Sequence, residues 1–431
     1  MTPGSRSLAL ALSLPLTLAA CGGNDASPPG QEVRSSKARD RAPQVSSEDR
    51  AALVAGGNHF AIRLHHELAT QEGNLIYSPL SISTALTMLY AGARGDTETQ
   101  MATALGYTLP QDRLHPAMNW LDLELSSRAD ADPGDHGGKP FALRVVNRIW
   151  GQTGFEVLPA FLDTLATSYD AGLSLFDFSK DAPAARVAIN AWVAEQTNGR
   201  IKDLLPEGLP DENSRLVLTN AVYFYASWKK VFDHDATHAA TFHPLVGADV
   251  SVPMMHKHDE DGAYAAGDGY VLAELPYVGD QVAMTLLVPD AGRFAEIEAS
   301  LTGEKLDTML AGLEPAGLEI SVPRFQIEHS LDLPELLAAL GMTSAFDPLK
   351  ADLSGINDTE PLYVKAVLHK AFIKVDEDGT EAAAATDVVI EGDGALIEEN
   401  VTVDRPFLFF LRDRVTGTII FVGRVTNPAA S

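Results

Sequence analysis

The side chains able to carry out catalysis or bind a metal are few in this sequence, and they form no complete motif. Ser227-Trp228-Lys229-Lys230 fits the Ser-x-x-Lys pattern of penicillin-interacting enzymes, but the Ser-Asp-Asn and Lys-Thr-Gly partners are absent. No Gly-x-Ser-x-Gly elbow, phosphate-cradling Gly-x-x-x-x-Gly-Lys loop or His-Glu-x-x-His zinc motif occurs. His65-His66 and His256-Lys257-His258 contain potential metal ligands, yet neighbouring histidines rarely face one ion, and a solvated face is the simpler interpretation. We therefore predict a protein that is not an enzyme and that holds neither a metal nor a cofactor.

The remaining reactive side chain is Cys21, the only cysteine in the sequence. Arg6 precedes an apolar stretch, residues 8–20, which is too short to span a bilayer as a helix and has the form of an export signal. Leu18-Ala19-Ala20-Cys21-Gly22 resembles the bacterial lipobox, in which the signal is cut before the cysteine and lipid is attached to it. We expect residues 1–20 to be a signal peptide and Cys21 to carry a membrane anchor. The alternative is an ordinary cleavage site with a chance cysteine.

The expected location is the bacterial cell envelope. Gly22 and Gly23 lack the aspartate that often retains lipoproteins in the inner membrane, so the outer membrane or the cell surface is favoured. Asp plus Glu number 59 against 32 Lys plus Arg, a formal net charge of −27, so a phosphate backbone would be repelled and no nucleic-acid partner is expected. Hydrophobic residues make up 45% of the chain, enough for a large core that must stabilise the protein without disulfides.

The chain divides into a tether and a globular body. Residues 21–48 are rich in Gly, Asn, Asp, Ser, Pro, Arg and Lys with almost no large apolar residues, which predicts a lipidated, flexible tether. A helical period begins near Asp49, and the body is predicted to span residues 49–428. Further helices are predicted at Ala184–Glu195 and Leu333–Leu340. Strands are predicted at Leu216–Tyr225, Val271–Leu275, Ala283–Val288, Leu318–Val322, Ala371–Val375, Phe407–Leu411 and Thr418–Val422.

A series of motifs, in order along residues 49–428, resembles the serpin family of serine protease inhibitors. Each motif is weak alone, but their order is very specific. They are the segment from Asn74 to Ile82 with the residues Ala85 to Gly95 behind it, Asn147-Arg148-Ile149-Trp150, Thr197-Asn198-Gly199-Arg200-Ile201, Leu218 to Phe224 followed by Trp228, Leu275-Pro276-Tyr277, Val322-Pro323-Arg324-Phe325, Leu340-Gly341-Met342, Asp352 to Ile356, and Arg405-Pro406-Phe407 through Gly423 to Pro428. The resemblance implies an α+β serpin fold, with mixed β-sheets, a large central sheet surrounded by helices, and an exposed reactive-centre loop.

In inhibitory serpins the stretch matching Lys374 to Thr386 is the hinge of that loop, which inserts into the central sheet once the loop is cut. The implied hinge residues are Glu377, Gly379, Thr380, Glu381, Ala382, Ala383, Ala384, Ala385 and Thr386. A central strand does not accept proline, and none lies between Gly379 and Asp404. Side chains on the inner face of a packed sheet must be small or apolar, as are Thr380, Ala382, Ala384, Thr386, Val388 and Ile390. The stretch therefore favours an insertable strand over the alternatives, an alanine-rich helix or a plain loop.

Family positions that control opening of the sheet carry polar residues here. The resemblance places Ser78, Ser81, Asn220 and His369 in the sheet-opening region, where a histidine bonded to Asn or Ser holds two strands together until a third displaces it. Ordinary satisfaction of buried polar groups is the alternative for each. Trp228 and Glu377 match positions that resist early insertion, and a nearby lysine is the expected partner of Glu377.

Counting from Gly379 at the family's spacing gives Asp393-Gly394 as the reactive bond. The loop is slightly longer than usual, so Glu391, Gly392, Ala395 and Leu396 remain candidates. An acidic residue suits a protease selective for Asp or Glu, whereas Ala395 or Leu396 suits an elastase-like or chymotrypsin-like enzyme. The prediction is a monomeric inhibitor that traps a serine or cysteine protease as a covalent complex, and the alternative is a non-inhibitory serpin that acts as a binding module.

Overall fold

The structure is a computed structural model that describes residues 28–130, 142–381 and 398–430. Within these ranges helices and strands mix without regular alternation, which confirms the predicted α+β class. None of the described helices has the length and apolar character needed to cross a bilayer. The α-helices are α1 (Ser47–Leu68), α2 (Pro79–Tyr90), α3 (Gly95–Leu105), α4 (Gln111–Ser126), α5 (Pro159–Tyr169), α6 (Phe178–Gln196), α7 (Phe294–Ala299), α8 (Gly303–Ala311) and α9 (Pro334–Ala339).

The strands form three sheets. In chain order they are β1 (Gln31–Val33), β2 (Leu75–Tyr77), β3 (Ala142–Gln152), β4 (Leu173–Phe176), β5 (Leu216–Ser227), β6 (Asp233–Phe242), β7 (Val250–Asp259), β8 (Ala263–Gly267), β9 (Tyr270–Pro276), β10 (Val282–Pro289), β11 (Glu314–Pro315), β12 (Gly317–Pro323), β13 (Phe325–Asp332), β14 (Val364–Asp376), β15 (Gly379–Thr380), β16 (Glu398–Thr402), β17 (Phe407–Asp413) and β18 (Ile419–Val425). The central sheet has the order β1-β4-β3-β5-β15-β14-β13, the second β11-β8-β9-β10-β17-β18-β2, and the third β16-β12-β7-β6.

The central sheet has a junction between two halves. Strands β5 and β14 are neighbours and parallel over most of their length, from the pair Leu216 and Val364 to the pair Tyr223 and Phe372. Beyond Tyr223 the two strands separate, and the two-residue strand β15 pairs antiparallel with both of them. The open end of this junction is therefore the place where a further strand can enter.

Both faces of β5 are covered, which explains its nearly unbroken apolar sequence. On the outer face Val217 and Ala221 pack with Ile189 and Val193 of α6. The even-numbered residues of β5, such as Leu218, belong to the main core on the inner face. Side chains therefore alternate between helix α6 and the main core along the strand.

The strands predicted from the sequence are all present. Most have somewhat wider bounds, β18 begins one residue later and ends three residues later than predicted, and β14 extends much further towards the N-terminus. The strands not predicted are mainly those with a solvated face. Most residues of β6, for example, are exposed or half-buried. Their polar sequences carry little of the hydrophobic signal on which strand prediction depends.

The structure differs from the predicted tether for the part of residues 21–48 that it describes. Strand β1 pairs with Leu173–Leu175 of β4 and adds a strand to the edge of the central sheet. The following residues, up to the N-cap Ser46 of α1, run across α5 and α4. Basic side chains of this segment pair with aspartates of the body: Arg34 with Asp170, Lys37 with Asp163 at 2.8 Å, and Arg39 with Asp122 at 2.5 Å. The tether prediction is therefore wrong for this segment. It has few apolar residues to bury, but ion pairs and strand pairing with β4 hold it on the body.

Candidate functional site: the hinge and the sheet-opening cluster

The described part of the predicted hinge, residues 377–381, lies at the open end between β5 and β14. Gly379 pairs with Ser227 and Asp376, and Thr380 pairs with Ala226 and Val375. A Cβ added to Gly379 would lie 2.2 Å from the carbonyl oxygen of Ala226, so only glycine fits this close approach. The hinge is thus already seated as the first two residues of an inserted strand.

Thr380 points to the inner face of the sheet, where it is fully buried. Its hydroxyl lies 2.8 Å from the hydroxyl of Tyr277. The indole of Trp228 stacks on the ring of Tyr277, with ring centroids 4.4 Å apart, and its Nε1 donates to the carbonyl oxygen of Asp376 at 3.0 Å. Trp228 therefore holds both the inner neighbour of Thr380 and the chain that leads into the hinge.

The partner of Glu377 is an arginine and not the expected lysine. Arg324 Nε lies 2.8 Å from both oxygens of the Glu377 carboxylate, and Thr237 Oγ1 donates to Oε1 at 2.6 Å. Burial opposes the charged form, but the hydrogen bonds from Arg324 and Thr237 hold the pKa of the Glu377 carboxyl below its usual value. Arg324 directly precedes β13, and its long side chain reaches a position that the sequence spacing did not indicate.

The buried Lys257 lies over the ring of Trp228, a contact that was not predicted from the sequence. Lys257 Nζ lies 5.1 Å from the centre of the Trp228 ring and 4.7 Å from that of Phe232. It pairs with Asp259 Oδ2 at 2.7 Å and donates to the Lys230 carbonyl oxygen at 2.8 Å, while burial lowers the pKa of its ammonium group. We name Trp228, Tyr277, Arg324, Glu377 and Thr380 the hinge cluster.

The predicted sheet-opening residues Ser78, Ser81, Asn220 and His369 come together across the inner face of the central sheet, where all four are fully buried. Asn220 and His369 are register partners on β5 and β14. Asn220 Nδ2 donates to Ser81 Oγ at 2.5 Å and also to Asn147 of β3, and Asn220 Oδ1 is in contact with His369 Nδ1. We name these five residues the sheet-opening cluster. Asn147 lies within a quoted family motif, but this role was not predicted for it.

The bonds of His369 define its protonation state. The backbone N–H of Ser78 donates to Nε2 at 3.1 Å, so Nε2 must be an unprotonated acceptor and Nδ1 carries the proton that is donated to Asn220. Burial, and secondarily the charge of nearby His329, lower the pKa of His369 to about 3. The cluster is therefore a set of neutral groups. Asn220 and His369 join β5 to β14 directly, and their other bonds connect these strands to α2 and β3.

Other predicted residues lie outside the described part of the chain. These are the hinge residues Ala382–Thr386, the candidate reactive bond Asp393-Gly394 with its alternatives in 391–396, and the lipidation residue Cys21. Across the residues that are described, no group of three or more His, Cys, Asp or Glu side chains is placed to hold a metal. His256 and His258 both face the carboxylate of Glu319, at 3.2 and 2.9 Å.

Comparison with known proteins identifies the family. The family model described as "Serpin (serine protease inhibitor)" matches residues 55–428, and the chain belongs to the serpin family. An uncharacterized serpin-like protein of Thermococcus kodakarensis is 39% identical over 379 residues, covering 87% of this chain and 86% of its own. The leukocyte elastase inhibitor of Bos taurus is 37% identical over 386 residues, covering 87% of this chain and 99% of its own. The native structure of the thermophilic serpin tengpin superposes with a TM-score of 0.80 at 29% identity, over 92% of this chain and all of tengpin.

Proposed function

We propose that this serpin inhibits a serine endopeptidase, or a cysteine endopeptidase, by acting as a suicide substrate. The observation that carries the proposal is the seating of Gly379 and Thr380 between β5 and β14. A strand that already pairs with both neighbours can extend along them once its other end is free. Cleavage of the reactive loop would free that end.

The register of β15 defines where the rest of the loop would go. Thr380 pairs with Ala226 and Val375, and in antiparallel pairing each further residue moves one residue back on both neighbours. Six residues beyond Thr380, the partners are Asn220 and His369. Alternation along an inserted strand would make Thr386 face inward like Thr380, so that it would enter the sheet-opening cluster and replace the bond between those two side chains.

The available length agrees with this account. Ten residues beyond Thr380, the partner on β5 is Leu216, the first residue of that strand. A strand that continued this register to the start of β5 would therefore comprise residues 380–390. This leaves 391–396, the range predicted for the reactive bond, just beyond the inserted strand.

The chemistry requires only the loop of this chain and the protease. The protease nucleophile attacks the carbonyl before the scissile bond, forms an acyl ester or thioester, and releases the following residue as a new amino terminus. Insertion then gains ladder hydrogen bonds, each worth about 0.5–1.5 kcal/mol net. Because the acyl group is joined to the inserting strand, the protease is pulled along the sheet and distorted before water can complete hydrolysis.

The protease class depends on the reactive bond. Asp393-Gly394 implies a protease selective for acidic residues, whereas Ala395 or Leu396 implies an elastase-like or chymotrypsin-like enzyme. A relative whose name is leukocyte elastase inhibitor supports the second class as a target to test first. Incubation with a panel of both kinds, followed by the mass of the released C-terminal fragment, identifies the bond.

Inhibition is tested by a complex that survives heat and detergent, because only a trapped acyl bond withstands both. The variant Thr380→Arg should be cut without forming the complex, since the inward arginine would bury an unpaired charge and slow insertion. Thr380→Val, which loses only the hydrogen bond to Tyr277, is the matched control and should still form complex. Cleavage of the wild type without any complex, and without a rise in its unfolding temperature, would favour the non-inhibitory binding module.

For localisation we propose an exported lipoprotein anchored through Cys21 in the cell envelope. Its support is the lipobox-like sequence that ends the export signal. Growth with labelled fatty acid should tag the wild type and leave Cys21→Ser untagged. Equal labelling of the two would refute the anchor without touching the inhibition mechanism.

A further inference from the structure

Glu381, the last described hinge residue, has a buried carboxylate without a well-formed hydrogen bond. Its side chain is 1% exposed, yet neither carboxylate oxygen has a hydrogen bond of good geometry. Its backbone has φ of +56°, in the left-handed region that non-glycine residues rarely adopt. Its N–H still donates to the carbonyl oxygen of Lys374 at 3.0 Å, which continues the pairing of Thr380 by one residue.

The only ion-pair partner of this carboxylate among the described residues is Arg200, whose Nε lies 3.2 Å from Oε2. Arg200 follows a tight turn at the end of α6, in which Asn198 and Gly199 both have positive φ. Thr197 Oγ1 stabilises that turn by accepting from the N–H of Ile201 at 3.1 Å. The turn thus presents a guanidinium group at the end of the helix that covers the outer face of the sheet.

Position along the strand explains why these two side chains meet. Thr380 points inward, so Glu381 points to the outer face. Tyr223 of β5 lies on the same face, since the odd-numbered residues Val217 and Ala221 pack against α6. Burial, followed by the neighbouring Glu381 carboxylate, raises the pKa of Tyr223. Glu381 is therefore surrounded by a phenol and a guanidinium, and only the guanidinium compensates its charge.

We propose that Arg200 is a positioning residue that keeps the hinge seated between β5 and β14. A carboxylate taken out of water is stable only when paired, so loss of Arg200 would drive Glu381 back into solvent and pull Thr380 towards release. A seated hinge supplies the first paired residues from which insertion extends. Without the seat, insertion starts later and the protease has more time to hydrolyse the acyl bond.

The direct test is hydrogen exchange of the intact protein in the absence of any protease. Arg200→Gln should raise the exchange rate of the amides in residues 379–381 by about tenfold, the effect of losing an ion pair that is half exposed on one side. Arg200→Lys retains the charge and should restore most of the protection. Lys202→Gln removes a neighbouring exposed charge that faces no ion-pair partner in the described structure and should leave exchange unchanged.

A double-mutant cycle separates the ion pair from general destabilisation. Glu381→Gln removes the buried charge, so adding Arg200→Gln to it should cause no further increase in exchange. The proposal would be overturned if Arg200→Gln raised the exchange rate equally in the wild type and in Glu381→Gln, or if it had no effect on exchange in either. The second readout rests on the proposed function: with a target protease, Arg200→Gln should at least double the number of inhibitor molecules consumed per protease trapped. If no protease is trapped by the wild type, the inhibition mechanism fails, but the exchange result still decides the role of Arg200.

Discussion

The hinge cluster and the sheet-opening cluster join the same two strands, β5 and β14, by different kinds of interaction. The hinge cluster combines stacked aromatic rings with the charged pair Arg324–Glu377, and Arg324 is 45% exposed. The sheet-opening cluster contains neutral amide, hydroxyl and imidazole groups, and all its residues are fully buried except the half-buried Asn147. Charged groups at a rim can exchange protein contacts for water, whereas buried neutral groups must keep their partners. The difference indicates that the junction between β5 and β14 acts as a gate: the strands separate easily at the hinge cluster and resist separation at the sheet-opening cluster.

The largest expected effect is that of Asn220→Ala. It would leave the Nδ1–H of His369 and the groups of Ser81 and Asn147 that face Asn220 without this partner inside the sheet. At about 1–3 kcal/mol for each unsatisfied buried group, we expect a loss of roughly 3 kcal/mol in the free energy of unfolding. Urea unfolding measures this loss.

Asn190→Ala is the matched control for this substitution. Asn190 is also buried, but among the described residues its side chain bonds backbone groups of Leu205 and no other side chain. Asn190→Ala should lower the free energy of unfolding by less than Asn220→Ala does, and it should not accelerate spontaneous insertion of the uncut loop. A loss below about 1 kcal/mol for Asn220→Ala would mean that water or rearranged neighbours replace Asn220, and that the cluster does not hold the strands.

The second prediction concerns pH. The pKa of His369 is lowered to about 3 in the folded protein, from an ordinary value of 6.5, because burial disfavours the charged form. Below 6.5 the unfolded chain therefore binds a proton that the folded chain does not. This contribution to stability is fully present above pH 6.5 and is lost as the pH falls towards 3. At pH 5 the loss amounts to about 2 kcal/mol from this site alone.

Two other histidines, His115 and His234, also make stability depend on pH, so the contribution of His369 must be measured as a difference between two proteins. His115 has a pKa lowered to about 4 by burial and adds its own loss, so the test compares the wild type with His369→Gln. The stability difference between them should shrink by about 2 kcal/mol between pH 7.5 and pH 5. His234, which contacts Asp378 at the hinge, has a raised pKa, so its contribution is lost as the pH rises. A constant difference between wild type and His369→Gln would contradict the neutral assignment of His369.

The same contrast shows which parts of the structure are readable from the sequence. The apolar strand β5 was predicted almost to its ends, because burial on both faces leaves a continuous hydrophobic run. The sheet-opening residues were identified through the family resemblance, and the structure brings them together. Two ion pairs between residues distant in sequence were not predicted: Arg324 with Glu377, and Arg200 with Glu381. Spacing along the chain carries no information on such pairs.

The prediction of a flexible tether for the N-terminal segment was wrong for a related reason. Composition rules for disorder count the apolar surface that a segment can bury, and residues 28–46 bury little. They do not count the match between a locally basic segment and the aspartates of a strongly acidic body, such as Asp163 and Asp122. Ion pairs of this kind become visible only when the fold has placed both partners.

The smallest predicted effect belongs to the rim of the hinge cluster. Arg324→Lys keeps the positive charge beside Glu377 but loses the planar fork that contacts both carboxylate oxygens. Because Arg324 is partly exposed, we expect a loss of only about 0.5–1 kcal/mol in the free energy of unfolding. The loss should be larger at low ionic strength than in 1 M salt, where exposed charges are screened.

The control for this substitution is Arg293→Lys, which disrupts a similar fork to Glu296 where both side chains are accessible to water. No measurable change is expected there, because both charges remain solvated when the fork is lost. The difference between the two sites therefore reports the burial of Glu377, whose side chain is 2% exposed. If Arg324→Lys costs as much as Asn220→Ala and is insensitive to salt, the pair at the rim is as dry as the sheet-opening cluster, and a gate that loosens first at its edge is the wrong description. If Arg324→Lys costs no more than Arg293→Lys, the planar fork of Arg324 adds nothing to the positive charge that lysine retains beside Glu377.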